Sequence, residues 1–270
     1  MLSYPHINPV IFKIGPLAVR WYGLMYLLGF LAAYYLVRYQ LKERGLVELL
    51  PELDNLLFWL ALGLIIGARL GHVFFYFPSY YFRHPWEILA LWHGGMSFHG
   101  GLLGVLITGL IYAYKHKLNF WFWADLFVVT APIGLGLGRL GNFINGELYG
   151  RPTQVPWAMI FPQGGPLPRH PSQIYEALGE GLLLFIILWK LRRRPWPSGC
   201  KFALFLILYG LIRFFIEFFR QPDAGVPLLW GWMTRGQELC LLMVLSGLFL
   251  FYKRYRVKED PGFDLPLKSP

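Results

Sequence analysis

Seven times along this 270-residue chain the sequence runs apolar for some twenty residues, and a hydrocarbon core of about 30 Å takes roughly that many to cross as a helix. The runs are Leu17 to Val37, Leu53 to Phe75, Ile88 to Tyr114, Trp121 to Asn142, Gln173 to Leu191, Phe202 to Phe219 and Gln237 to Tyr252. With 56% hydrophobic and only 15% charged residues, the chain carries more apolar surface than a water-soluble domain of its size can bury. The expectation is an all-α polytopic membrane protein with about seven transmembrane helices. The first run is too long for the core of a cleavable signal, and no small-residue cleavage site follows it, so it is expected to stay as the first span.

A net charge of +10 would suit a nucleic-acid binder if Lys and Arg gathered on one solvated face, but here they fall in the connections between apolar runs. No nucleic-acid partner is expected. Alternate connections differ in basic content: fourteen Lys and Arg on one side, from Arg38 to Lys258, against seven on the other, from Lys13 to Arg235. The richer side is read as cytoplasmic, which leaves the N-terminus outside and the C-terminus inside. A Pro- and Gly-rich loop, residues 150–171, then forms a small irregular cap on the outer face, and residues 259–270 form a solvated cytoplasmic tail. Cys200 and Cys240 show neither metal-ligand spacing nor a disulfide framework and read as packing residues. No metal and no cofactor are expected.

Ionisable groups inside apolar spans are costly and usually functional. Here they are Arg69, His99, Arg139, Glu147, Glu176, Glu180, Arg213 and Glu217, accompanied by Tyr22, Tyr26, Asn142 and Asn145. Arg213, Glu217 and Arg220 recur at i, i+4 and i+7, on one helical face. They read either as an internal ion pair that permits insertion, or as a pair with surplus positive charge that holds an anion. His99 lies in HGGMSFHGG, where glycines let another backbone or a substrate come close, and its ordinary pKa suits a general base. Gly136, Gly138 and Gly141 spell a GxGxxG, yet no strand precedes it and no soluble βαβ unit follows; Gly134 and Gly138 suit close helix contact instead. Arg139, Asn142, Asn145 and Glu147 converge where the fourth run ends. Arg offers a bidentate fork for phosphate, Asn offers donors and acceptors, and Glu orients an Arg or a His.

The string GRLGNFINGELYG, Gly138 to Gly150, resembles the signature of the bacterial prolipoprotein diacylglyceryl transferases. WYGLMY, GGMSFHGG, LPRHPSQIYE and RFFIEFFRQPD extend the likeness, in order, over nearly the whole chain. The resemblance implies a multi-pass protein of the bacterial inner membrane, with residues 1–258 as the membrane-embedded transferase domain and 150–171 as its periplasmic cap. It implies transfer of a diacylglyceryl group from phosphatidylglycerol, a membrane lipid, to the lipobox cysteine in the signal peptide of a prolipoprotein, the first step of lipoprotein maturation. A thioether forms and glycerol phosphate leaves. By the same analogy His99 deprotonates the thiol, Arg139 and Arg213 bind the phosphate, and Tyr22, Asn142, Asn145, Glu147 and Glu217 orient lipid and arginines. An arginine-stabilised thiolate that attacks without a histidine stays open beside the base role of His99. Arg69, Arg220, Gln221 and Asp223 also match the family. For Arg69 the plain reading is a buried salt bridge, and for RQPD it is a structural turn. The cap is shorter than in some members, and Glu238 stands where an apolar residue is common. A different class, an anionic-lipid carrier using Arg139 and Arg213 without chemistry, is disfavoured by the lack of inverted repeats.

Overall fold

The computed structural model describes residues 2–15, 17–222 and 228–257, and its architecture is helical. The all-α expectation needs one correction at the N-terminus. Strands β1 (Val10–Ile14) and β2 (Leu17–Arg20) pair antiparallel, so the first helix, α1 (Trp21–Glu43), starts four residues later than hydropathy placed it. β-branched Val10, Ile11, Ile14 and Val19 favour extended backbone, and Gly15 at φ +57° supplies the left-handed turn between the strands.

Two compact units divide the chain, one formed by residues 38–120 and the other by residues 2–37 together with 121–257 among those described. Helix α1 runs from the larger unit into the smaller one. The smaller unit holds α2 (Leu50–Phe75), the short α3 (Pro78–Arg83), two 3-10 turns at Pro85–Leu89 and Leu91–His93, and α4 (Phe98–Lys115). Helix α4 begins ten residues after the start expected from hydropathy, because Gly94 and Gly95 both sit at φ +78° and break the helical path. Ser97 then caps it, its Oγ accepting from Gly100 N at 3.2 Å. α2 and α4 come closest at their glycines: a Cβ on Gly67 would stand 2.4 Å from Gly100 O, and one on Gly104 would stand 2.1 Å from Gly63 O. Four-residue glycine spacing on both helices is what permits that backbone contact.

The larger unit adds α5 (Phe120–Val128) and α6 (Ala131–Asn145), bent by 44° at the break before Pro132. Next comes α7 (Ser172–Glu176), which passes into a π-helical segment, Ala177–Leu183, and then α8 (Leu184–Leu191). Helices α9 (Cys200–Ile216) and α10 (Arg235–Tyr255) complete it. Asp125 of α5 is buried and accepts from Gly199 N at 3.0 Å and Phe202 N at 2.7 Å, satisfying orphan donors at the start of α9. Gly136 and Gly181 bring α6 against the π segment, each leaving no room for a Cβ on the other. Of the GxGxxG glycines, Gly136 and Gly141 are thus packing positions on a helix, against Gly181 and Tyr22, whereas Gly138 faces open space and does not make the close helix contact expected of it.

Three helical stretches, Trp21–Glu43, Val47–Phe75 and Arg235–Tyr255, are long and apolar enough to cross a membrane, and the broken pair α5–α6 makes a fourth. Their outward faces are apolar. On α10, Leu239, Leu242, Leu245, Phe249 and Tyr252 are all exposed, a face that only lipid tolerates over that length.

Candidate active site

The polar groups of the larger unit converge on two wholly buried carboxylates, Glu176 at the end of α7 and Glu180 one turn later in the π segment. Buried carboxylates need matching cations, and guanidinium groups from two other elements supply them. Arg139 of α6 sets Nε 2.6 Å from Glu176 Oε2 and Nη2 3.8 Å from Glu180 Oε2. Arg213 of α9 donates from Nη1 to Glu176 Oε1 at 2.9 Å and to Glu180 Oε1 at 3.5 Å, while its Nη2 lies 2.7 Å from Glu217 Oε2. Arg220, just past α9, approaches Glu176 at 3.9 Å and Glu217 at 3.8 Å. The expected i, i+4 pair of Arg213 with Glu217 is present, but the expected surplus of positive charge is not. Among the described residues three guanidinium groups meet three carboxylates, and the cluster is formally neutral.

Within it Arg139 is the most open member, its side chain 21% exposed against 8% for Arg213. Among the described residues its Nη1 has no ion-pair partner, so one arm of the fork points away from the lattice and is free to donate to an anion.

A second polar knot closes the end of α6. Gly146 ends the helix in the left-handed conformation at φ +69°. Glu147 turns back so that its Oε1 accepts from Asn142 Nδ2 at 2.8 Å and Asn145 Nδ2 at 3.1 Å, and its backbone oxygen accepts from Gln173 Nε2 at 2.6 Å. Both asparagines thus donate to Glu147, offsetting a carboxylate placed at the negative end of a helix. Tyr22 of α1 packs over Gly141, where a Cβ would fall 2.8 Å from its ring, and its hydroxyl pairs with that of Tyr26 at 3.1 Å. Asn142 stands close to the same hydroxyl.

The cap rests on the C-terminal end of α6. Tyr4 OH donates to Phe143 O at 2.6 Å, and burial holds this phenol above its ordinary pKa, so it stays a donor. Gly150 pairs with Arg220 in a single β-bridge, and a Cβ there would stand 2.5 Å from Phe219 O, which explains the glycine that ends the motif. Arg151 Nε donates to Arg220 O, and Arg169 Nη1 donates to Gly150 O and to Gln221 Oε1. Trp157 Nε1 donates to Tyr175 OH at 2.6 Å, and that hydroxyl is hydrogen-bonded to His170 Nδ1 at 3.1 Å. Burial pushes His170 below the ordinary histidine pKa, which favours the neutral ring. The reading of RQPD as a turn therefore covers only part of its role: Arg220 belongs to the charge cluster and Gln221 to the cap, while Asp223 lies outside the described residues.

His99 belongs to the smaller unit, exposed in the first turn of α4 with Phe98 edge-on to its ring at 5.6 Å. Arg69 departs from the salt bridge expected of it. Among the described residues it binds backbone oxygens only: those of Glu87, Ile88 (2.9 Å), Ala90 (3.1 Å), Gly94 and Gly95 (3.1 Å), with its guanidinium 5.2 Å from the centroid of the Tyr81 ring. It pins the irregular segment that leads into the helix of His99. Glu238 pairs with Arg235 at 2.6 Å in a half-exposed contact, in keeping with an interfacial position. Glu176 and Glu180, the hub of the site, carry no assigned role from sequence beyond that of intramembrane charges; their i, i+4 spacing in an apolar run is the signal that points to them.

Fold and site together define a helical membrane protein that, among its described residues, brings three arginines and three glutamates into one buried cluster. The family model for prolipoprotein diacylglyceryl transferase matches residues 9–253. A phosphatidylglycerol–prolipoprotein diacylglyceryl transferase of Desulfotalea psychrophila is 54% identical over 263 residues, covering 95% of this chain and 97% of that one. Proteins of the same description from Geobacter sulfurreducens and Bordetella avium are each 53% identical, over 96% and 93% of this chain and 100% and 96% of their own lengths. The chain belongs to the prolipoprotein diacylglyceryl transferase family.

Removing one partner of a buried ionic cluster leaves charges without compensation, which costs about 3–5 kcal/mol. Glu176→Ala, which strands Arg139 and Arg213, is expected to lower the melting temperature in detergent clearly, whereas Glu238→Ala is expected to leave it within a degree or two. Equal melting of the two variants would contradict the hub assigned to Glu176.

Proposed function

We propose that this protein transfers the diacylglyceryl group of phosphatidylglycerol to the lipobox cysteine thiol of a prolipoprotein. The sulfur attacks the glyceryl carbon that bears the phosphate, a C–S bond forms as the C–O bond breaks, and the electron pair leaves on glycerol phosphate. Family membership over nearly the full length supports the reaction, and the named relatives act on these two substrates. The observation that carries the assignment of the site is the Nη1 of Arg139, without an ion-pair partner among the described residues, beside an Arg213 whose Nη1 and Nη2 both lie against carboxylates.

Such a reaction asks for three things from the chain: a cradle for a phosphate whose charge grows as the bond breaks, a proton acceptor for the thiol, and an apolar approach for two acyl chains. Arg139 and Arg213 form the cradle. Their carboxylate partners hold the guanidinium groups in place before lipid arrives, so little reorganisation is needed when negative charge develops on the leaving oxygen. Glu217 orients Arg213. Glu147, held by Asn142 and Asn145, shapes the floor beside Tyr22, where the glycerol hydroxyls of the headgroup find donors and acceptors. His99 takes the thiol proton, since the thiolate is the nucleophile and a neutral imidazole suits that task near pH 7. Seven membrane crossings, with the N-terminus and the 150–171 cap outside and the C-terminus in the cytoplasm, set this floor at the outer face of a bacterial inner membrane, where a signal peptide presents its cysteine.

Purified protein in phosphatidylglycerol vesicles is expected to add one diacylglyceryl mass to a synthetic lipobox peptide, and to leave a Cys→Ser version of the peptide unchanged. Binding of lipid with no mass gain on either peptide would instead favour an anionic-lipid carrier. His99→Gln is expected to lower turnover by about a hundredfold or more, the scale of lost general-base catalysis, with phosphatidylglycerol affinity kept. Turnover within a few-fold of the unaltered protein would sink the base role and leave the arginine-stabilised thiolate.

A further inference from the structure

Thr234, Gly236 and Gln237 open α10 with a capping box: Thr234 Oγ1 accepts from Gln237 N at 3.2 Å, and Gln237 Oε1 accepts from Thr234 N at 3.0 Å. An ordinary capping box ends there. In this one the threonine hydroxyl also donates to Glu217 Oε1 at 3.0 Å, and Gln237 Nε2 reaches back to Phe214 O at 3.5 Å, one turn before Glu217 on α9. Thr234 and Gln237 are both buried, so these bonds are made away from solvent. The two oxygens of Glu217 are thereby divided, Oε1 to the cap of α10 and Oε2 to Arg213.

Gly236 makes the arrangement sterically possible. A Cβ at this position would stand 2.7 Å from Glu217 Oε1 and 3.0 Å from its Cδ. A side-chain end can normally swing clear of such a clash at little cost, but this carboxylate is held on both sides, and moving it breaks the bond to Arg213 or the bond to Thr234. The negative carboxylate also sits against the first turn of α10, where the helix dipole is positive.

We propose that Thr234 and Gly236 are positioning residues of the transfer reaction: together they fix the Glu217 carboxylate, which in turn fixes the Arg213 fork that receives the phosphate. This rests on the phosphate-cradle reading of Arg213. It makes the start of α10 part of the active site's support, although neither residue touches substrate.

The glycine gives the decisive experiment, because alanine is a better helix former than glycine and so does not weaken α10 itself. In phosphatidylglycerol vesicles, Gly236→Ala is expected to lower kcat/KM for lipid at least tenfold in a protein that still folds, its melting temperature falling less than that of Glu176→Ala, because one contact of Glu217 is lost while every charge of the cluster is kept. Thr234→Val is expected to lose a comparable factor, and Thr234→Ser to regain most of it, since serine restores the hydroxyl but not the methyl. Gly236→Ala working at the normal rate would overturn the proposal, as would equal rates for the valine and serine variants, a comparison that decides the matter even if Gly236→Ala misfolds. Retention of phosphatidylglycerol by the purified proteins supplies a readout without turnover. If the unaltered protein transfers nothing, the reaction reading fails, while tenfold weaker lipid retention by Gly236→Ala still upholds the positioning role and normal retention refutes it.

Discussion

Two carboxylates without solvent, Glu176 and Glu180, set the terms for the rest of the larger unit. Left alone in an apolar interior either one costs several kcal/mol, so the fold must deliver guanidinium groups to them from elsewhere. Helix α6 brings Arg139, α9 brings Arg213, and the turn after α9 brings Arg220. The close approach of Gly136 to Gly181 is what lets α6 reach the π segment, and four-residue spacing places Glu180 on the same side as Glu176. Charge and helix contact are thus one device.

Neutrality gives that device its chemical use. A site with three bare arginines in an apolar protein would hold any anion tightly and release none. Here each arginine already has carboxylate partners, so in the proposed reaction a lipid phosphate would compete for the fork with groups that return when it leaves, with the open arm of Arg139 as its proposed first contact. The cap contributes through the backbone, where Gly150 pairs with Arg220 of the cluster, while the Tyr4 hydroxyl holds the last carbonyls of α6.

Much of this was legible before any coordinates. Apolar run length indicated membrane helices, the Gly138–Gly150 string marked the polar end of α6, and the i, i+4 spacing of Arg213 and Glu217 indicated their pairing. What escaped is instructive in kind. The hub role of Glu176 depends on which other helices face it, and residue spacing within one helix cannot reveal that. Arg69 was expected to find an acid and found backbone oxygens, which carry no mark in sequence. The N-terminal hairpin was lost because β-branched residues next to a long apolar run read as its continuation. Thr234 and Gln237 do spell a capping box, yet nothing local says that the threonine hydroxyl serves a glutamate on another helix.

The central claim is that Arg139 is the open contact of a neutral, preorganised phosphate cradle. Steady-state transfer by Arg139→Gln, measured over a range of phosphatidylglycerol in vesicles alongside its thermal melt, tests it most directly. The account predicts a protein that still folds but transfers at least a hundredfold more slowly, the scale lost when a single transition-state charge contact is removed. A folded Arg139→Gln protein that works at close to the normal rate would contradict it.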